Sequence, residues 1–265
     1  YLQAVEVYQG AINANPTNIQ NYLKIARLQI YINQLEQAQV NAQNAILLDN
    51  SNSTAFALLG WAKGFQQEYL PGEADLQKAI ELDMNSGLAH AVYAYILAMR
   101  VEAGMDEIGT IDRAREESRT ALALEPNLLE AHWARGYVLE ITGNYEEAVD
   151  EFETAVSLNP NIARVYMALG RNQMNTQELD QAVFNFTKAY SLNPTDPTPN
   201  LFISRIYGML GEWEKGIQYG TAALRDGPSD PNLYANLGTL YYRKGQYNQA
   251  ADYLDLAVRG GANAD

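Results

Sequence analysis

Small residues punctuate this chain on a fixed clock. Alanines stand at Ala11, Ala45, Ala79, Ala121, Ala155, Ala189, Ala223 and Ala257, 34 residues apart except for one interval of 42. Seven positions earlier comes a second small residue: Ala4, Ala38, Gly72, Ala114, Ala148, Ala182, Gly216 and Ala250. A seven-residue offset places both on one face of a helix, where a partner helix can approach closely. A third small position recurs further upstream at Ala26, Gly60, Ala94, Gly136, Gly170, Ser204 and Gly238. The pattern predicts units of two helices that meet through a notch on each. A constant period of this length marks tandem copies that bury their apolar faces against one another.

Punctuation keeps the same time. Pro16, Pro126, Pro160, Pro194 and Pro228 each fall five residues after a period alanine, where a helix must stop. Asn50 and Met84 occupy that place in two other units, so less sharply defined helix ends are expected there. One unit, beginning at Gly87, carries eight extra residues around Arg100 to Asp112. Eight residues are close to one added turn on each of two antiparallel helices, with Gly104 as a stop and Asp106 as a cap. That hairpin is expected to project by about one helical pitch, ~5–6 Å, either as a tolerated insertion or as a raised wall beside a binding surface.

These positions resemble the tetratricopeptide repeat family, whose pattern runs W-x2-L-G-x2-Y, then A-x3-F, then P over 34 residues. The best copies read Tyr166, Leu169, Gly170, then Ala182, Phe186, Pro194, and Tyr234, Leu237, Gly238, Tyr241, then Ala250, Leu254. Another has His132, Arg135, Gly136, Leu139, then Ala148, Phe152, Pro160. The weakest has Asn200, Ile203, Ser204, Tyr207, then Gly216 and Gly220. The resemblance implies an all-α, right-handed α-α superhelix of antiparallel helix pairs with no strand. It divides the chain as a single array: 1–18 as the second helix of a truncated repeat, then 19–52, 53–86, 87–128 with the insertion, 129–162, 163–196, 197–230 and 231–265. Beginning at Tyr1 inside a second helix, the sequence reads as a piece of a longer protein.

Chemistry is sparse. The net charge is −14, against the basic stripe that nucleic acid requires. No apolar run approaches the ~18 residues of a membrane span, so no membrane insertion is expected. With no cysteine, disulfides, thiol catalysis and Cys-based zinc sites are excluded, and the lean is toward an oxidising compartment or a cell surface. His90 and His132 share one repeat position, where the family usually has a large aromatic. They are expected to be packing residues with one satisfied nitrogen each, and to hold no metal. Phosphate-binding, dinucleotide, zinc-protease and serine-hydrolase motifs are missing. The expectation is a non-enzyme without cofactors.

The resemblance then assigns a function. First helices of such arrays line a concave groove that binds a peptide or partner protein. Placed on this chain, the groove positions hold Trp61, Phe65, Tyr95, Met99, Trp133, Tyr137, Met167, Met174, Leu201 and Met209. They also hold Arg27, Arg164, Arg171, Arg205 and Arg243, against only Glu130 and Glu140 as acids. Aromatic and arginine residues dominate binding hot spots, and methionine suits adaptable peptide surfaces. The expected partner is a protein segment with alternating acidic and apolar residues. The Lys–Asn clamp of chaperone-binding members has no counterpart: its opening positions are Leu23 and Arg27, Ala57 and Trp61, Ala91 and Tyr95. Two alternatives stand beside the scaffold. One is a recruiting or regulatory segment of a larger enzyme, such as a glycosyltransferase or kinase. The other is weak self-association through an apolar stripe of Ala251, Leu254 and Val258 on the last helix.

Overall fold

The computed structural model describes residues 1–105, 107–227 and 230–260. Among them are fifteen α-helices and no strand. They fall into two compact units, Tyr1–Pro160 and Asn161–Asp265. The first contains α1 (Leu2–Ala14), α2 (Ile19–Tyr31), α3 (Leu35–Leu48), α4 (Ser53–Phe65), α5 (Tyr69–Leu82), α6 (Gly87–Glu102), α7 (Thr110–Leu124), α8 (Leu129–Ile141) and α9 (Tyr145–Leu158). The second contains α10 (Ala163–Asn175), α11 (Leu179–Leu192), α12 (Thr198–Met209), α13 (Trp213–Asp226), α14 (Pro231–Arg243) and α15 (Tyr247–Arg259). From α2 onward, each even-numbered helix packs on the odd-numbered helix that follows it. This is the all-α array of helix pairs that the small-residue clock predicts.

The clock has a steric cause. Seven of the eight period alanines are no more than 3% exposed, from Ala45 to Ala257, while Ala11 is half-buried. At Gly60 and Gly72 the approach is closest. A Cβ on either would stand 2.7–2.8 Å from the other's carbonyl oxygen, so α4 and α5 touch backbone to backbone. The same alanines also end their helices: the amides of Asn15, Asp49, Asp83, Glu125, Asn159, Asn193 and Gly227 donate back to the alanine carbonyl four residues earlier. Asn50 and Met84 therefore do not blur the ends of α3 and α5, contrary to expectation. Asp49 Oδ1 accepts from the Ser51 amide and hydroxyl, and Asp83 Oδ1 from the Asn85 amide, so an aspartate turn does the work of proline.

Each pair outside the insertion is joined by three residues, and the middle one is left-handed: Asn33, Gln67, Gly143, Gln177, Gly211 and Gly245, with φ from 63° to 82°. Glycine enters that region without cost, whereas Gln67 and Gln177 crowd their Cβ against the following carbonyl.

The inserted eight residues are divided differently from the expectation of one turn per helix. α6 has 16 residues and α7 has 15, against 13 and 14 in neighbouring pairs, so half of the insertion lies in the 103–109 connection. Gly104 provides the stop, with φ 72°. The expected cap, Asp106, lies outside the described residues; α7 instead begins after Gly109, with Thr110 Oγ1 bonded to the Glu107 amide and carbonyl. The connection is tied down by Arg100, 5% exposed. Its Nε donates to the Met105 carbonyl at 3.0 Å, and its two terminal nitrogens meet Glu73 at 2.9 Å and Glu107 at 2.8 Å.

Candidate protein-binding faces

In the first unit, the inward sides of α2, α4, α6 and α8 meet one another. Tyr31, Trp61, Phe65, Tyr95, Trp133 and Tyr137 form a continuous aromatic stack. Trp61 and Trp133 lie 5.8 Å apart edge to face, Tyr95 and Trp133 5.4 Å, and Tyr95 stacks on Tyr137 at 4.5 Å. Tyr31 reaches the edge of Trp61 at 5.9 Å. Repeats that are distant in sequence are thus brought into contact, because Arg27 of α2 pairs with Glu130 of α8 at 3.0 Å. Tyr31 donates to the same carboxylate. Burial, followed by the charge of Glu130, holds the Tyr31 phenol far above its usual pKa. Burial likewise raises the Tyr137 phenol, which donates to Glu102.

This geometry places the groove residues of the first unit in a filled interior. Trp61 and Trp133 are each 2% exposed and Tyr137 is 5% exposed, so they present almost no surface. Tyr95 and Met99 are half-buried. Arg27 keeps 36% of its side chain exposed, but Glu130 neutralises its charge. Sequence position marked these side chains as inward-facing; it carried no information on how tightly the first helices close.

The second unit is different. On α10, Arg164, Met167, Arg171 and Met174 follow at spacings of three and four, which aligns them on one helical face. Met167 is 8% exposed, whereas Arg164, Arg171 and Met174 are half-buried. On α12, Leu201 is part of the core with Ala223 and Leu233, one helical turn before Arg205. Arg205 is half-buried, its guanidinium 5.6 Å above the Phe202 ring, and Phe202 in turn stacks on Phe186 at 5.0 Å. Met209, one turn further, is 57% exposed. Each of the two helices is thus amphipathic: guanidinium groups and thioethers are half-buried or exposed beside a methionine on α10 and a leucine on α12 that pack inward.

The two histidines depart from the expectation of one satisfied nitrogen. His90 Nδ1 lies 2.5 Å from Glu117 Oε2, and Nε2 3.1 Å from the Met84 carbonyl. His132 repeats this with Glu151 at 2.7 Å and the Pro126 carbonyl at 2.8 Å. Two acceptors per ring require two donors, which is the imidazolium form. The carboxylate hydrogen bond is the main cause that raises both pKa values above normal, against the lowering effect of burial. Family position identified these residues as packing groups; the acids 27 and 19 residues downstream were the overlooked signal.

No group of three or more potential metal ligands occurs among the described residues, and no described helix is long and apolar enough to cross a membrane.

Comparison with known proteins places this architecture. The solved structure of PilF from Pseudomonas aeruginosa is 25% identical, covers 77% of this chain and 89% of its own, and superposes with a TM-score of 0.63. A MamA structure is 23% identical, with 57% and 89% coverage and a TM-score of 0.55. A chain of the Cut9–Hcn1 hetero-tetramer of APC/C covers 97% of this chain and 46% of its own, at 15% identity and a TM-score of 0.66. No curated protein matches the chain significantly. Family models, each described as a tetratricopeptide repeat, match residues 129–162, 163–196 and 203–265. With its phased small residues, paired helices and three matched segments, the chain belongs to the tetratricopeptide repeat family.

Proposed function

We propose that this protein is a non-catalytic interaction scaffold that binds a partner polypeptide on the α10–α12 face of its second unit. Tetratricopeptide repeats are in general protein-interaction scaffolds, and the side chains on this face fit that use. The observation that carries the reading is the contrast in exposure between the units. The first unit buries Trp61, Trp133 and Tyr137 in a packed aromatic interior, whereas in the second Arg164, Arg171, Met174 and Arg205 are half-buried with no such interior around them and Met209 is open to solvent. Guanidinium forks pair with carboxylates and stack on rings, and methionine adapts to apolar side chains. The fitting partner is a segment in which acidic and apolar residues alternate. A recruiting role within a larger enzyme uses the same face in the same way.

The test is fluorescence anisotropy with synthetic peptides of alternating glutamate and leucine, using the intact chain and Arg171→Glu/Arg205→Glu. Hydrogen bonds to charged groups contribute ~1.5–3 kcal/mol each, so the double variant should bind at least about tenfold more weakly at 1.4 kcal/mol per decade. Its melting temperature should fall only slightly, because the Arg205–Phe202 ring contact is lost and such contacts at part-exposed sites contribute about 0.5–1 kcal/mol. Equal binding by both proteins, or a markedly lower melting temperature in the variant, would overturn the assignment.

A second reading, self-association, rests on α15. Tyr247, Leu254 and Val258 share one side of this helix and are 64%, 40% and 64% exposed, with Ala251 exposed among them.

A further inference from the structure

One repeat position carries a ring in six of seven copies, and the copy that lacks the ring contains a cleft. Tyr22, Phe56, His90, His132, Tyr166 and Tyr234 occupy this position on successive first helices. In three of them the polar tip ties the preceding loop: Tyr22 donates to the Pro16 carbonyl at 3.1 Å, and His90 and His132 engage the carbonyls of Met84 and Pro126. On α12 the position is Asn200, a much smaller side chain. Asn200 is 4% exposed and makes no side-chain hydrogen bond among the described residues; it lines the cleft, so a group that closed over it without pairing its amide would incur a desolvation cost.

Beside it is an open cleft of about 230 Å³, lined by Thr187 and Tyr190 of α11, Asn200 and Ile203 of α12, and Gln218, Tyr219, Ala222 and Arg225 of α13. Drug-sized ligands occupy about 300–1,000 Å³; this space suits a single ring. Repeat symmetry indicates how that ring would sit. Position 219 corresponds to 253, and Tyr253 is stacked under Tyr234 at 6.4 Å and 28°. Tyr219 is the corresponding face, half-buried and bordering the cleft. The mouth is polar: Arg225 keeps 72% of its side chain exposed beside Asp226 at 3.3 Å, and Tyr190 donates to Asp226 at 3.0 Å.

We propose that this cleft is a binding site for one phenol ring, the side chain of a tyrosine on a partner polypeptide. The ring replaces the aromatic group that position 200 lacks and stacks on Tyr219. Its hydroxyl bonds the Asn200 amide, which can donate or accept. The partner's backbone lies across the polar mouth. A tyrosine fits better than phenylalanine because a purely apolar ring would leave the Asn200 amide buried and unpaired. The site is independent of the α10–α12 face: Asn200 and Arg205 are five residues apart on one helix, well separated around its circumference.

The test uses the intact chain and three probes followed by saturation-transfer NMR: p-cresol, toluene and N-acetyltyrosinamide. Saturable binding of p-cresol and N-acetyltyrosinamide is expected, with toluene at least tenfold weaker. Asn200→Tyr supplies the ring from within, so it should raise the melting temperature and abolish binding of both phenols. If that variant does not fold, Ala222→Leu, which fills the cleft from α13, should abolish binding in its place. Arg171→Glu/Arg205→Glu should leave phenol binding intact. No saturable binding of p-cresol, equal binding of toluene, or unchanged binding after the cleft is filled overturns the proposal. Binding of p-cresol without N-acetyltyrosinamide overturns its assignment to a partner's tyrosine.

Discussion

Replacing Arg100 with methionine keeps a long apolar stem and removes only the guanidinium. That side chain is 6% exposed, and its partner Glu73 is 10% exposed. The variant leaves the Glu73 carboxylate buried beside no cation, and such a loss costs about 3–5 kcal/mol. Glu107, with 78% of its side chain exposed, adds little, because solvent takes over its charge. The Met105 carbonyl also loses its donor, so the 103–109 connection should loosen together with the α5–α6 contact. For a unit of this size, each kcal/mol shifts melting by roughly 2–4 °C, which gives a fall of about 6–20 °C. Repeat arrays need not unfold in one step, so urea unfolding should be paired with hydrogen exchange resolved over α5, α6 and α7. Removing both charges in Arg100→Met/Glu73→Leu should recover most of the loss, since an apolar pair of similar volume is often as stable as the ion pair. An Arg100→Met variant within about 0.5 kcal/mol of the parent, the range of an ordinary surface change, refutes the reasoning. So does a double variant no better than the single one.

Three further predictions follow from local geometry. The folded pKa values of His90 and His132 lie above the ordinary 6.5, so their contribution to stability is complete below that value and fades as pH rises through the folded pKa; the stability difference between the parent and His132→Phe should therefore shrink between pH 6 and pH 9, and a constant difference refutes it. Gln67→Gly removes a left-handed Cβ clash on an exposed turn and should stabilise by about 1 kcal/mol, whereas Gly143→Gln should destabilise by a similar amount; the opposite signs in chemical denaturation count against the turn argument. If the apolar side of α15 seats a second copy, light scattering should show concentration-dependent growth in mass that Leu254→Lys/Val258→Glu abolishes, and a strict monomer at millimolar concentration disposes of self-association.

The fold was legible because close helix packing imposes a steric rule on single positions. Gly60 and Gly72 must be small where backbones touch, and that requirement recurs in sequence with the repeat. The division of the insertion was not legible. Eight residues can lengthen helices or a connection, and the choice depends on Arg100 reaching Glu73 of the preceding pair. Inward direction was readable for Trp61 and Trp133, but their burial was not, because it depends on the cumulative curvature that brings Arg27 to Glu130. Asn200 was legible only as one residue of the weakest copy; the surrounding side chains alone reveal that a short residue there opens a cleft instead of collapsing it.

The central claim is that the second unit receives the partner on its α10–α12 face. Hydrogen–deuterium exchange of the intact chain with and without a saturating glutamate–leucine peptide tests it most directly. Slowed exchange concentrated in α10 and α12, with α2, α4, α6 and α8 unchanged around their packed aromatic interior, is the predicted result. Protection confined to the first unit, or spread evenly over all fifteen helices, would contradict it.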